Sequence, residues 1–271
     1  MACGDDGGGV MPIFECHELS KDFGGLKAVS DLDLEINPKE IRGIIGPNGA
    51  GKTTVFNLIS GVYPPSRGTV VFKEEDITKL PVHVRAQRGI TRTFQVTNLF
   101  MDSTVYENVC VGCHQNYKSG SVRQFLHTPL ARAEQKTERE RALEILTFMG
   151  LGSLKEELAR SLPYGYQRTL GICVALAASP TLLLLDEPVA GMNPEETAVT
   201  VELVRKIRDR GITILIVEHD MWAIKTLCDK VSVLESGRKI AEGTPDEIMS
   251  NRRVIEAYLG KDEEGGDATR S

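Results

Sequence analysis

Gly46-Pro47-Asn48-Gly49-Ala50-Gly51-Lys52-Thr53-Thr54 is the stretch from which the fold can be read. It fits the spacing G-x-x-x-x-G-K-[ST]. It lies between an apolar run, Ile41-Arg-Gly-Ile-Ile45, and a helix-like segment that ends at Ser60-Gly61. A strand turning through glycines into a helix is the context this spacing requires. Glycines let backbone N–H groups face inward onto phosphate oxygens where a side chain would block the approach, and the helix N-terminus adds partial positive charge. Residues 46–54 are therefore expected to cradle the phosphates of ATP. Lys52 places a charge between the terminal phosphates, and the Thr53 hydroxyl is a ligand for Mg2+. The second half of the site is Leu182-Leu-Leu-Leu-Leu-Asp186-Glu187. A carboxylate at the end of a buried strand beside the loop can hold Mg2+, which assigns Asp186. Glu187 can then accept a proton from an attacking water.

Working outward, short apolar runs alternate with helix-like segments. Ile41–Ile45, Thr181–Leu185, Thr213–Val217 and Val231–Leu234 read as strands, three of them apolar nearly throughout, as strands covered on both faces must be. Ile13–Leu19 and Thr69–Phe72 read as strands with one wet side. Alternating strands and helices predict an α/β fold with a mostly parallel core and an antiparallel β edge. From Thr104 to about Ala178 no strand is expected. Thr104-Val-Tyr-Glu107 has the pattern of a capping box. Residues 130–149 are dense in charge, with Leu143, Leu146 and Met149 as the apolar face of an amphipathic helix. The expected organisation is a core of residues 12–95 and 179–260, interrupted by a helical subdomain over 96–178, with disordered tails at 1–11 and 261–271.

Composition bounds the rest. In 271 residues, hydrophobic side chains make up 41% and charged ones 26%, the balance of a folded domain rather than a disordered or fibrous chain. Lys plus Arg total 32 against 38 Asp plus Glu, a net charge of -6. A general nucleic-acid binder carries the opposite sign, so no nucleic-acid partner is expected. The longest apolar runs, Gly171–Ala178 and Leu182–Leu185, fall far short of the roughly 20 residues of a spanning helix. The acidic, Gly-rich start is unlike a secretion signal. A cytosolic chain with reduced cysteines is the expectation.

With these motifs in place, the chain resembles the ATP-binding subunits of ABC transporters, most closely the branched-chain amino acid importer group. The likeness runs from about Phe14 to Gly260. Phe23-Gly-Gly-Leu-Lys-Ala28 is similar to that group's adenine-stacking loop, Arg92-Thr-Phe-Gln95 to its Q-loop, and Glu187-Pro-Val-Ala-Gly-Met-Asn193-Pro to its D-loop. Glu218-His219-Asp-Met221 is similar to its switch-histidine segment. Gly243–Ile248 and Ala257–Gly260 are similar to its C-terminal closing motifs. The resemblance implies a P-loop NTPase (RecA-like) core in which Phe23 stacks on adenine. Gln95 would bridge Mg2+ and water, and His219 would donate to the γ-phosphate. It also implies an ATPase that pairs with a second ATP-binding subunit around two Mg-ATP. That pair would drive transmembrane permease subunits, and indirectly an extracytoplasmic solute-binding protein, from the cytoplasmic face of the membrane. The implied cargo is branched-chain amino acids or related small polar solutes.

One element departs from the pattern. Where the family has Leu-Ser-Gly-Gly-Gln or close variants, this chain has Leu162-Pro163-Tyr164-Gly165-Tyr166-Gln167. The resemblance places Tyr164 and Gly165 at the ATP held by the opposite subunit. Pro163, expected in the first helical turn, removes a hydroxyl donor. Two other readings stand beside the motor: a low-turnover, nucleotide-responsive assembly module paired with an active ATPase, and a soluble ABC-type ATPase acting on ribosomes or DNA. Cys110-Val-Gly-Cys113-His114 spells a haem-attachment pattern but reads as a packed helix face followed by a surface His. Arg85, Arg88 and Arg92 read as a solvated or phosphate-adjacent strip.

Overall fold

Strands apolar on successive residues need cover on both faces, and that requirement shapes the core. The structure, a computed structural model, describes residues 10–93, 99–113 and 129–259. Its central sheet has six strands in the order β10-β9-β3-β8-β7-β6, formed by β3 (Ile41–Ile45), β6 (Ile90–Arg92), β7 (Leu182–Asp186), β8 (Thr213–Val217), β9 (Lys230–Glu235) and β10 (Arg238–Gly243). All neighbours run parallel except the β9–β10 hairpin at one edge. Leu183 and Leu185 of β7 enter one buried cluster and Leu182 and Leu184 the other. The unbroken leucine run thus reflects two covered faces.

On one face lies α1 (Lys52–Ser60) with an antiparallel sheet, order β2-β1-β4-β5, built from β1 (Phe14–Phe23), β2 (Leu26–Ile36), β4 (Arg67–Phe72) and β5 (Glu75–Asp76). β2 is absent from the sequence-based strand set, although Leu32, Leu34 and Ile36 are buried in strict alternation with exposed Asp31, Asp33 and Glu35. β10, likewise unforeseen, is a polar edge strand without a fully buried residue.

Between β6 and β7 the described residues are helical, with α3 (Val105–Cys113), α4 (Pro129–Phe148) and α5 (Tyr164–Ala177). Thr104 and Glu107 exchange the two capping-box bonds at the start of α3. α4 buries Ala142, Ile145 and Leu146 and is followed by buried Met149. Leu143, expected on that face, instead points outward, because it lies one position off the i, i+3, i+4 stripe that the other residues follow. The Cys-x-x-Cys stretch packs α3 onto α5. A Cβ on Gly112 would come within 2.2 Å of the Val174 carbonyl oxygen, so the two backbones meet at a glycine. Burial pushes the Cys113 thiol up to about 11, which leaves it inert. His114 lies outside the described residues.

The basic strip is solvated only in part, at Arg88. Arg85, on α2 (Val82–Arg88), is 1% exposed. Its guanidinium donates to the carbonyls of Leu58 and Ile59 in the last turn of α1, and to those of Leu80 and Thr78. It thereby caps the C-terminus of the phosphate-loop helix with a cation. Burial pulls its pKa down to about 10, leaving it charged at neutral pH. Arg85→Met should lower unfolding free energy by roughly 2–4 kcal/mol, because buried carbonyls lose their donors. Urea unfolding checks this. Arg88 forms a bidentate pair with Glu75.

The chain closes with α6 (Pro194–Asp209), α7 (Met221–Leu227), α8 (Pro245–Ser250) and α9 (Arg252–Leu259). Among the described residues, no helix is long and apolar enough to cross a membrane.

Candidate functional site

β3 lies inside the parallel core, between β9 and β8, and the loop that leaves its C-terminal end is where an α/β sheet places a ligand. That loop is held by backbone close approaches. Gly46 has φ 150°, and a Cβ there would lie 2.1 Å from the Leu234 carbonyl oxygen. Gly51 has φ 100°, and a Cβ there would lie 2.5 Å from that of Ala28. Lys52 opens α1 with its ammonium folded back, donating to the carbonyls of Gly46 at 2.6 Å and Pro47 at 3.0 Å. A cation is thus fixed at the floor of the loop.

The loop faces a cleft of about 470 Å³. Asn48, Gly49, Ala50, Gly51, Lys52, Thr53 and Thr54 line one side; Leu26–Ala28, Ser236–Gly237, Glu187 and His219 complete it. Gly46 and Pro47 do not line it, their carbonyls being engaged by Lys52. A larger cleft of about 620 Å³ lies beside α4, lined by Glu140, Arg141, Glu144 and Arg210 among others. Its charges are mixed and it has no glycine loop, so it offers no phosphate cradle.

At the far wall, Glu187 follows β7 with φ 49°, a left-handed backbone that a non-glycine residue adopts at a cost. Its N–H donates to the Val217 carbonyl, which locks the turn onto β8. His219 follows β8, and its Nε2 lies 2.8 Å from Glu187 Oε1. Behind them, Glu218 is 2% exposed and accepts the N–H groups of Val189 and His219. Burial pushes the Glu218 carboxyl above its ordinary range.

The remaining predicted residues lie elsewhere. Asp186 is not among the residues that line the cleft; its Oδ2 accepts from Arg92 at 2.5 Å, and its backbone N–H donates to Thr93 Oγ1. Phe23 is outside the cleft lining, and its ring meets Tyr63 edge-on at 5.3 Å. Gln95 lies outside the described residues. Tyr164 and Gly165 start α5 away from this chain's own cleft. Tyr164 packs over Gly191, and its hydroxyl accepts from Arg168, whose Nη1 donates to the Glu187 carbonyl. Pro163 stands at the N-cap, one residue before the expected helical turn, and supplies no side-chain cap. Asn193 caps α6 in a capping box with Glu196.

Arg92, Arg168, Glu218 and Tyr258 were missed as parts of the site. The Tyr258 hydroxyl, on α9, lies near the backbone of Gly46. No sequence spacing announces these contacts, since most of them join distant segments or use backbone groups.

A hydroxyl on Thr53 and a carboxylate on Asp186 are hard oxygen donors, the set that suits Mg2+. Among the described residues, no group of three His, Cys, Asp or Glu could hold a metal alone. A cation here would complete its shell from phosphate and water oxygens, as Mg2+ does.

Comparison with known proteins gives a consistent picture. Residues 29–190 match the sequence model of the ABC transporter family, and residues 238–264 that of the branched-chain amino acid ATP-binding cassette transporter C-terminal segment. The chain is 42% identical to the high-affinity branched-chain amino acid transport ATP-binding protein LivG of Escherichia coli (strain K12), over 93% of this chain and 99% of the relative. It is 39% identical to the corresponding protein BraF of Pseudomonas aeruginosa, over 92% and 98%. Its fold matches the crystal structure of the ADP conformation of MJ1267, an ATP-binding cassette of an ABC transporter. That match has a TM-score of 0.82, 31% identity, and coverage of 92% and 99%.

Proposed function

Because the chain belongs to the ABC transporter ATP-binding family, whose cassettes are ATPases coupled to transport, we propose that it hydrolyses Mg-ATP as one of two paired subunits driving a membrane importer for branched-chain amino acids or related small polar solutes. The observation that carries this reading is the single cleft that brings together Lys52, Thr53, Glu187 and His219.

The loop from Gly46 to Thr54 binds the phosphates through inward N–H groups, and the Lys52 ammonium offsets their charge. Phe23 stacks on the adenine. Thr53 and Asp186, with Gln95, would hold Mg2+, which when bound would neutralise phosphate charge. Glu187 takes a proton from the water attacking the γ-phosphorus. His219 donates toward the γ-phosphate, and its contact with Glu187 holds the carboxylate in place. The position of Tyr164 and Gly165, away from their own cleft at a helix N-terminus, supports the assignment of these residues to a partner's nucleotide. Residues 96–178 are assigned to a helical lobe that moves when the pair closes, and residues 12–95 with 179–260 to the ATP-binding core. Permease subunits at the cytoplasmic face of the membrane, with an external solute-binding protein beyond them, would receive that motion. Branched-chain cargo is supported by the names of the two relatives, and uptake of leucine by vesicles reconstituted with the permease tests it.

Pro163 favours one competing reading, a low-turnover module beside an active partner, because α5 begins without a side-chain donor. Pro163→Ser restores a hydroxyl and should raise steady-state ATPase severalfold, in keeping with one added charge-assisted hydrogen bond. A chain that binds ATP but shows no turnover in either form, until a second ATP-binding chain is added, is instead the module.

A further inference from the structure

Arg92 lies at the end of β6 and was expected to be part of a solvated or phosphate-adjacent strip. Its guanidinium is instead held at three points. Nη2 donates to Asp186 Oδ2 at 2.5 Å, Nη1 donates to Asn57 Oδ1 at 2.6 Å, and the guanidinium carbon lies 5.6 Å from the centre of the Phe56 ring. Asn57 and Phe56 belong to α1, the helix that begins at the phosphate loop. The side chains of Arg92 and Asp186 are only 16% and 14% exposed. The next residue, Thr93, secures the other end of the pair, since its N–H donates to the Leu184 carbonyl and its hydroxyl accepts the Asp186 N–H.

We propose that Arg92 is a resident counter-cation of Asp186, a positioning residue that competes with the nucleotide's metal ion for this carboxylate and so sets how strongly nucleotide affinity depends on Mg2+. The inference rests on the assignment of Asp186 to the metal in the preceding reading. A sheltered carboxylate is stabilised by a positive neighbour. Arg92 provides one before any metal arrives. A guanidinium already seated on Asp186 Oδ2 repels an incoming metal cation and offsets the charge of the carboxylate that would attract it, so it weakens metal loading. Without metal, the same guanidinium cancels the repulsion between Asp186 and a bound triphosphate. Both effects act in one direction, reducing the coupling between metal and nucleotide, and that coupling is reciprocal.

The measurement is the ratio of dissociation constants for a non-hydrolysable ATP analogue in EDTA and in saturating Mg2+, by calorimetry. Arg92→Met should raise this ratio about tenfold, as expected when one partner of a sheltered pair is removed. Arg92→Lys, which keeps the charge but cannot bridge Asp186 and Asn57 together, should give an intermediate ratio and covers the case in which Arg92→Met fails to fold. In an Asp186→Asn background, Arg92→Met should leave the ratio unchanged. A purely structural Arg92 would shift both dissociation constants by the same factor in every background. An unchanged ratio in Arg92→Met and Arg92→Lys therefore overturns the proposal. Absence of any Mg2+ dependence in the wild-type protein would instead overturn the metal assignment of Asp186.

Discussion

Glu187→Gln should lower the maximal ATPase rate by a factor of about a thousand while leaving ATP affinity nearly unchanged. The glutamine amide has nearly the shape of the carboxylate but cannot accept a proton, and general-base contributions are of order 10²–10⁴. The backbone at this position is set by φ 49° and by the Glu187 N–H bond to Val217, neither of which depends on the carboxylate. Glutamine also keeps an oxygen for the His219 contact. The phosphate loop keeps its Lys52 bonds and glycine geometry. ATP should then bind without being consumed, and a pair closed around it should accumulate. Light scattering in Mg-ATP would show the mass of two chains for the variant, whereas the wild-type protein would relax to single chains as ATP is spent. A variant that turns over ATP at the wild-type rate would remove Glu187 from the base role.

Lys52→Ala should weaken Mg-ATP binding about a hundredfold. Lys52 is 7% exposed, with its ammonium pinned by the carbonyls of Gly46 and Pro47. Alanine removes a fixed cation and the charge-assisted hydrogen bonds it would make to phosphate, each worth about 1.5–3 kcal/mol. The buried carbonyls of Gly46 and Pro47 lose their donor, so unfolding free energy should fall by about 1–3 kcal/mol, and urea unfolding separates this from the loss of affinity. Calorimetric titration measures the loss, and an unaltered dissociation constant would contradict the cradle. Lys52→Ala and Glu187→Gln should differ in kind: the first loses affinity, and the second loses rate at retained affinity.

What could be read in advance follows from how local each signal is. The phosphate loop was legible because strand, glycines and helix are contiguous and each has its own residue chemistry. The place of Asp186 and Glu187 at the end of β7 was legible because an apolar run ends at them. β2 carries a period-two pattern from Asp31 to Ile36 that was available in the sequence but lies next to the conspicuous Gly-Gly turn. β10 had no such signal, since it is a polar edge strand without a fully buried residue. The burial of Arg85 could not be foreseen because its partners are backbone carbonyls, which have no sequence code. The pair of Arg92 and Asp186 joins residues 94 positions apart through the parallel pairing of β6 with β7. It exists only once the sheet order is known.

The central claim of the proposed function is that a second chain completes the catalytic site; Tyr164 and Gly165 do not line the cleft that holds Lys52, Glu187 and His219. Steady-state ATPase of the purified chain in Mg-ATP, measured from dilute to concentrated protein, tests it most directly. The account predicts a specific activity that climbs with protein concentration as subunits pair, and that falls again on dilution. A substantial specific activity that stays constant at every dilution would mean that a single chain closes its own site, and would contradict it.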